Sequence, residues 1–275
     1  MSRILLFLST GRCGTQSLTQ MLADCAGERA RVQHEPLRAE YRPRACLRMA
    51  APAEVLPTLP VVERHFLDWD EHLAQGRAIV ETGWPIFPWL PYLAERYRGR
   101  LDVIHLIRDP VRTAFSMASH HFYSPRRVDD YARWGALLPT DPGVRLVEYI
   151  PPWPQLNRVE RCLFHWAEVH GYAEELAAAG IVSAQLSADG LFSDPTSFVE
   201  SIRALDPVWR TVFAGAVSAG TKVDRFQCGI PDQVDGLRYT QAVADIAQRQ
   251  GYVIDLDGHR EALIARFFTP GQSGG

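Results

Sequence analysis

The chain of 275 residues is 47% hydrophobic and 22% charged, which supplies a buried core and excludes a disordered or collagen-like polymer. Twenty-nine basic against 32 acidic residues leave a net charge of −3, so no general excess of positive charge drives binding to nucleic acid or to an anionic membrane, and any anion site must be local. No apolar run is long enough to span a membrane, and five cysteines, odd in number and without CxxC pairing, suggest neither a disulfide framework nor a zinc ribbon; the expectation is a reduced, cytoplasmic protein.

Residues 4–8 form a continuous apolar run ended by a glycine-containing loop, the pattern of a strand buried on both faces. Residues 15–25 place Leu18, Met21, Leu22 and Cys25 at helical spacing, with Gly27 just past the end. A second strand is expected over 30–33. Further apolar runs at 78–80, 103–107 and 181–186 alternate with helical patterns at 110–121, 159–179, 195–205 and 239–250. Two of these helices open on Asp-Pro, at Asp109-Pro110 and Asp194-Pro195, where the acid caps free amides and proline suits the first turn. Alternation of this kind predicts an α/β domain in three layers, a central parallel sheet flanked by helices. Residues 36–62 and 122–157 resist the scheme, yet carry enough apolar and aromatic side chains to fold over something. With no internal repeat and no clean boundary, residues 1–275 read as a single domain in which these two segments form a lid or substrate wall.

The turn Ser9-Thr10-Gly11-Arg12-Cys13-Gly14-Thr15-Gln16-Ser17 joins the first strand to the first helix. Glycines there let the backbone curl so that several amides face one anion, to which the helix N-terminus adds partial positive charge. The Gly-Lys-Ser/Thr ending that holds magnesium in nucleoside triphosphatases is missing, which disfavours a magnesium nucleotide. The second motif runs from Val103 to Ser116: a buried strand ending in Arg108, a capped helix start at Asp109-Pro110, and Ser116 about two turns into that helix. Arg108 stands at the carboxyl end of its strand, where open α/β sheets bind ligands, so Arg108 and Ser116 can grip one phosphate from two sides.

With both motifs in this order, the sequence resembles the sulfotransferases that use 3'-phosphoadenosine 5'-phosphosulfate (PAPS). Thr10-Gly11-Arg12-Cys13-Gly14-Thr15 is similar to their TxRxGT-type loop for the 5'-phosphosulfate, and Arg108-Asp109-Pro110 through Ser116 to their RDPxxxxxS segment for the 3'-phosphate. Residues 186–195 look like the strand end and helix start that follow in the family. The resemblance covers most of residues 1–205 and implies a P-loop nucleotide-kinase-like fold, PAPS as co-substrate, 3'-phosphoadenosine 5'-phosphate (PAP) as product, no metal, and nucleotide contacts from Arg12, Cys13, Gly14, Thr15, Gln16, Ser17, Arg108 and Ser116. Gln16 stands where threonine is common, and Glu81-Thr82-Gly83-Trp84 occupies the stretch where some members carry a lysine motif. Gly220-Thr221-Lys222 and Arg225 map loosely onto a basic C-terminal phosphate contact.

Sulfuryl transfer is an in-line displacement through a loose transition state, governed by positioning and charge neutralisation, and Arg12 with the first helix amides suits the charge growing on the leaving phosphate. The acceptor needs a base. Gln33-His34-Glu35-Pro36 follows the second strand and ends near the same crevice, so Glu35 accepts the proton with His34 orienting it, or His34 replaces it. Histidines offer no metal spacing: His120 and His121 are adjacent, and His165 and His170 are five apart. Tyr123, Tyr131, Trp134 and Trp153 of the second irregular segment are candidates for an acceptor pocket, whereas Trp166 reads as helix packing and Cys13 as a small loop residue rather than a nucleophile. The expected acceptor is a small molecule or glycan; an ATP-dependent small-molecule kinase and a non-catalytic nucleotide-binding module are the alternatives.

Overall fold

A computed structural model describes residues 2–42, 46–124, 136–218 and 238–255. The apolar run at the start forms β1 (Ile4–Leu8), buried throughout, and the glycine turn leads into α1 (Thr15–Ala26). Then come β2 (Ala30–His34), a short α2 (Pro52–Val55), α3 (Pro60–Ala74) and β3 (Ala78–Thr82). α4 (Leu90–Arg96), β4 (Leu101–Ile107) and α5 (Pro110–Ala118) follow. After the second irregular segment the chain forms α6 (Arg158–Ala178), β5 (Ala184–Ser187), α7 (Ala188–Ser193), α8 (Pro195–Arg203), α9 (Pro207–Val212) and α10 (Gln241–Arg249).

The five strands form one parallel sheet in the order β2-β3-β1-β4-β5. In register, Ile4 of β1 lies opposite Ile79 on one side and Leu101 on the other. Alternation along each strand divides the core. Leu5 and Phe7 of β1 and Ile104 and Leu106 of β4 pack with α1, α7, α8 and α9, while Ile4, Leu6 and Leu8 pack with α3, α4, α5, α6 and α10. The result is the expected three-layer α/β architecture. The order of strand addition reverses across β1: β2 and β3 lie on one side of it, and β4 and β5 then join the other side. Such a switch opens a crevice at the carboxyl ends of β1 and β4.

Helix starts are chemically marked. Asp109 accepts from the Arg112 amide at 2.8 Å, Asp194 from that of Ser197 at 3.0 Å, and Asn157 and Glu160 form a reciprocal capping box at the head of α6. The first irregular segment departs from the sequence reading, because its end opens α3. The buried stripe Val62, Phe66, Trp69 and Leu73 carries the three- and four-residue spacing of a core-facing helix. Ile181, Val182 and Ser183 precede the last strand instead of belonging to it, since β5 begins only at Ala184. From 136 to 157 the second segment drapes over α6 on polar hooks: the amides of Arg145 and Leu146 donate to Glu168 Oε1 and that of Leu137 to His165 Nδ1, while Tyr123 holds the Leu137 carbonyl at 2.6 Å. Tyr131, Trp134, Thr221, Lys222 and Arg225 lie outside the described residues.

Candidate active site

The glycine turn leaves the carboxyl end of β1 through two left-handed glycines, Gly11 and Gly14, with Arg12 between them also at positive φ. Side chains are excluded at both glycines by more than backbone preference. A Cβ on Gly11 would stand 2.9 Å from Trp84 Cδ1, and one on Gly14 would stand 2.7 Å from Phe192 Cζ. The loop is braced from inside by Ser9, whose hydroxyl accepts from the Gly11 amide at 3.2 Å, and by the Cys13 thiol, which donates to the Gly11 carbonyl at 3.3 Å. Burial pushes the Cys13 thiol above its usual range, so it is a protonated packing group rather than a nucleophile. The N-cap of α1 is Gly14, which offers no side-chain cap, and the first turn holds buried Thr15 and Ser17 and exposed Gln16. A curled backbone ahead of a helix N-terminus without a side-chain cap fits a phosphate group.

Arg108, at the end of β4, turns toward this loop. Its Nη1 donates to the Arg12 carbonyl at 2.9 Å, and Arg12 Nε donates to the Ser116 hydroxyl at 3.2 Å. The two motifs thus meet in one cleft. Trp166, read from the sequence as packing, is fully buried and also donates to the Arg108 carbonyl at 3.1 Å, which fixes the strand end that carries the guanidinium. That role was hidden in the sequence because it lies 58 residues from Arg108.

Glu35 and His34 reach the same cleft from the end of β2. Glu35 is in the left-handed region at φ 44°, with its side chain 24% exposed. Burial raises its pKa from 4.5 to about 7; the neighbouring Glu81 pushes in the same direction, against the opposing charges of Arg12 and Arg38 and a hydrogen bond from the Trp84 backbone. His34 Nδ1 donates to the Thr82 carbonyl at 2.9 Å, and its Nε2 stands 3.9 Å from Glu35 Oε1. Burial lowers the His34 pKa, so the ring is neutral with its lone pair on Nε2, beside the carboxyl group.

Gly83, which the sequence gives no role beyond its place in the Glu81-Thr82-Gly83-Trp84 stretch, makes this placement possible. A Cβ built on it lands on Cγ of Glu35, so the acid fills the volume that any other residue at 83 would claim. Its neighbour Glu81 does not face the cleft as an unpaired acid: it is fully buried, accepts from Tyr41 at 2.6 Å and lies 3.1 Å from His65 Nε2. Among the described residues no group of three His, Cys, Asp or Glu side chains is placed to hold a metal ion, and no helix is long and apolar enough to cross a membrane.

Two solved structures have this arrangement of elements. The sulfotransferase domain from the curacin biosynthetic pathway superposes with a TM-score of 0.50 at 12% identity, over 93% of this chain and 99% of that domain. The sulfotransferase domain from the Synechococcus PCC 7002 olefin synthase gives 0.50 at 11%, over 93% and 96%. The chain has a sulfotransferase fold. At that identity the likeness carries the sulfotransferase fold and not the side chains of its cleft, which are described above for this chain alone. No family model and no curated protein sequence matches it.

Proposed function

We propose that the chain is a sulfotransferase that moves the sulfuryl group of PAPS to a hydroxyl, with an amine as second choice, and releases PAP. The observation that carries this reading is the convergence of Arg108, Arg12 and Ser116 at the glycine turn, through two hydrogen bonds that join segments about a hundred residues apart in sequence. Two cationic side chains, a hydroxyl and a helix N-terminus in one cleft suit a ligand with phosphates at both ends. The turn and the first amides of α1 take the 5'-phosphosulfate, and Arg108 with Ser116 takes the 3'-phosphate.

In the transfer step the acceptor oxygen forms a new bond to sulfur as the bond from sulfur to the 5'-phosphate oxygen breaks. PAP leaves with that electron pair, and the acceptor proton passes to Glu35. A carboxylate with a pKa near 7 is matched to this task, because it is ionised at working pH yet basic enough to draw the proton. Arg12, whose charge acts on both His34 and Glu35, steadies the negative charge that grows during transfer. The acceptor is a small molecule or glycan. The test is calorimetric titration with PAP, followed by incubation with PAPS and a panel of alcohols, phenols and amines, with release of PAP as the readout. Absence of PAP binding removes the proposal. Binding without transfer to any acceptor leaves a nucleotide-binding module instead.

A further inference from the structure

Behind the glycine turn lies a charged group that the proposed transfer leaves unused. Arg42 follows the 3-10 turn at Arg38–Tyr41, in the first irregular segment, and is 6% exposed. Its guanidinium lies over Trp84 at 5.0 Å and over Phe87 at 5.2 Å from the ring centroids. Among the described residues none of its three side-chain nitrogens has a hydrogen-bond partner. Buried arginines meet carboxylates or carbonyl oxygens as a rule, because a guanidinium withdrawn from water loses hydration that aromatic faces replace only in part. Burial draws its pKa down to about 10, against the opposing charges of Cys46, Asp141 and Glu35.

A second unsatisfied donor shares the same aromatic wall. His165 of α6 is fully buried and meets Trp84 edge to face at 5.7 Å. Its Nδ1 accepts from the Leu137 amide at 3.3 Å, and burial together with the charge of Arg42 lowers its pKa to about 3. The ring is therefore neutral with its proton on Nε2, and among the described residues that Nε2 has no partner either. Around Trp84, then, the unsatisfied nitrogens of Arg42 and His165 are donors. Donors without acceptors, set among Trp84, Phe87 and Phe122, are what an anion on an apolar body requires. Trp84 in turn is the side chain against Gly11, so the group is continuous with the turn, and the charge of Glu35 acts on Arg42.

We propose that Arg42 anchors a second anion site, supported by His165, that binds a carboxylate on the acceptor, so that the acceptor is an alcohol or phenol carrying a carboxylate on an apolar or aromatic body. The acceptor assignment rests on the sulfotransferase reading; the anion site does not. Arg42 forms the paired contact that a planar guanidinium gives a carboxylate, and the rings take the apolar body.

Benzoate and its neutral isostere benzamide are the probes, titrated calorimetrically into the full chain with PAP saturating, so that Arg12 and Arg108 are already engaged. Benzoate is expected to bind at least tenfold more tightly than benzamide. Arg42→Met, close in volume and uncharged, should abolish the preference while PAP binds as before. A readout independent of that variant's folding comes from the 15N-labelled protein. The Arg42 Nε–H resonance, identified by its loss in Arg42→Lys, should move with benzoate and stay with benzamide. Equal affinity for the two probes, a preference that survives Arg42→Met, or an Arg42 resonance indifferent to benzoate would each overturn the site. If PAP does not bind but benzoate still moves that resonance, the nucleotide reading falls and the anion site stands. PAP binding without a benzoate preference has the reverse meaning.

Discussion

Replacing Glu35 with glutamine keeps the shape of the side chain and removes its ionisation, and the stability effect can be worked from its surroundings. The folded carboxyl titrates near 7 against 4.5 for the ordinary group, because burial opposes its charge. The sign follows from which state holds the proton. Below pH 4.5 both folded and unfolded chains carry a neutral carboxyl and Glu35 contributes no difference. As pH rises toward 7 the unfolded chain ionises first, so the wild type loses stability, and above 7 the full penalty is present. At about 1.4 kcal/mol per pH unit the gap amounts to roughly 3 kcal/mol, somewhat less in practice because water reaches part of the side chain. Urea unfolding of wild type and Glu35→Gln at pH 5.5, 6.5 and 8 should therefore show the variant gaining on the wild type with pH and levelling off above about 8. A difference that stays flat, or that shrinks as pH rises, refutes the placement of Glu35 in a desolvated cleft. In activity, wild-type turnover should climb with pH to half its plateau near 7, and the variant should lose roughly 10²–10⁴-fold with PAP affinity retained. Full activity in the variant would hand the base role to His34.

Arg108→Ala removes a guanidinium that forms a charge-assisted hydrogen bond to the Arg12 carbonyl, and PAP affinity measured by calorimetry should fall about 10- to 100-fold; an unchanged Kd counts against its assigned role. Gly83→Ala drives a methyl group into Cγ of Glu35, so kcat should drop on the order of 10²-fold while PAP still binds, with a wild-type rate marking the acid as dispensable. Glu81→Ala leaves the Tyr41 hydroxyl and His65 without their shared acceptor in the core and should lower unfolding stability by about 3 kcal/mol in urea titration. Wild-type stability in that variant would mean that the buried triad contributes nothing.

The parts of this fold that could be read in advance are those whose signal is local. β1 and β4 are unbroken apolar runs because both their faces are covered, and α5, α6 and α8 begin with capping side chains written into adjacent residues. β5 is the short last strand at one side of the sheet, and its half-exposed pattern gave the neighbouring apolar Ile181 and Val182 undue weight. α3 had a legible stripe, but Pro52 and Pro57 ahead of it and Pro60 at its first position made the whole stretch look irregular. In the cleft, the turn and the Arg108–Ser116 spacing were visible because each is continuous in the chain. The contact of Gly83 with Glu35 and the stacking of Arg42 on Trp84 were not, because each joins residues more than forty positions apart. An arginine in an Arg- and Pro-rich stretch reads as solvated until something is seen to cover it.

Gly83 and Glu35 occupy what is in effect a single seat shared by two strand ends. In descendants of a common ancestor, a bulkier residue at the first position would have to arrive together with a shorter or relocated acid at the second, so the two sites should change in concert. An alignment of relatives sorted by what stands at 83 would then separate lineages that deprotonate their acceptors from β2 from those that do so from elsewhere.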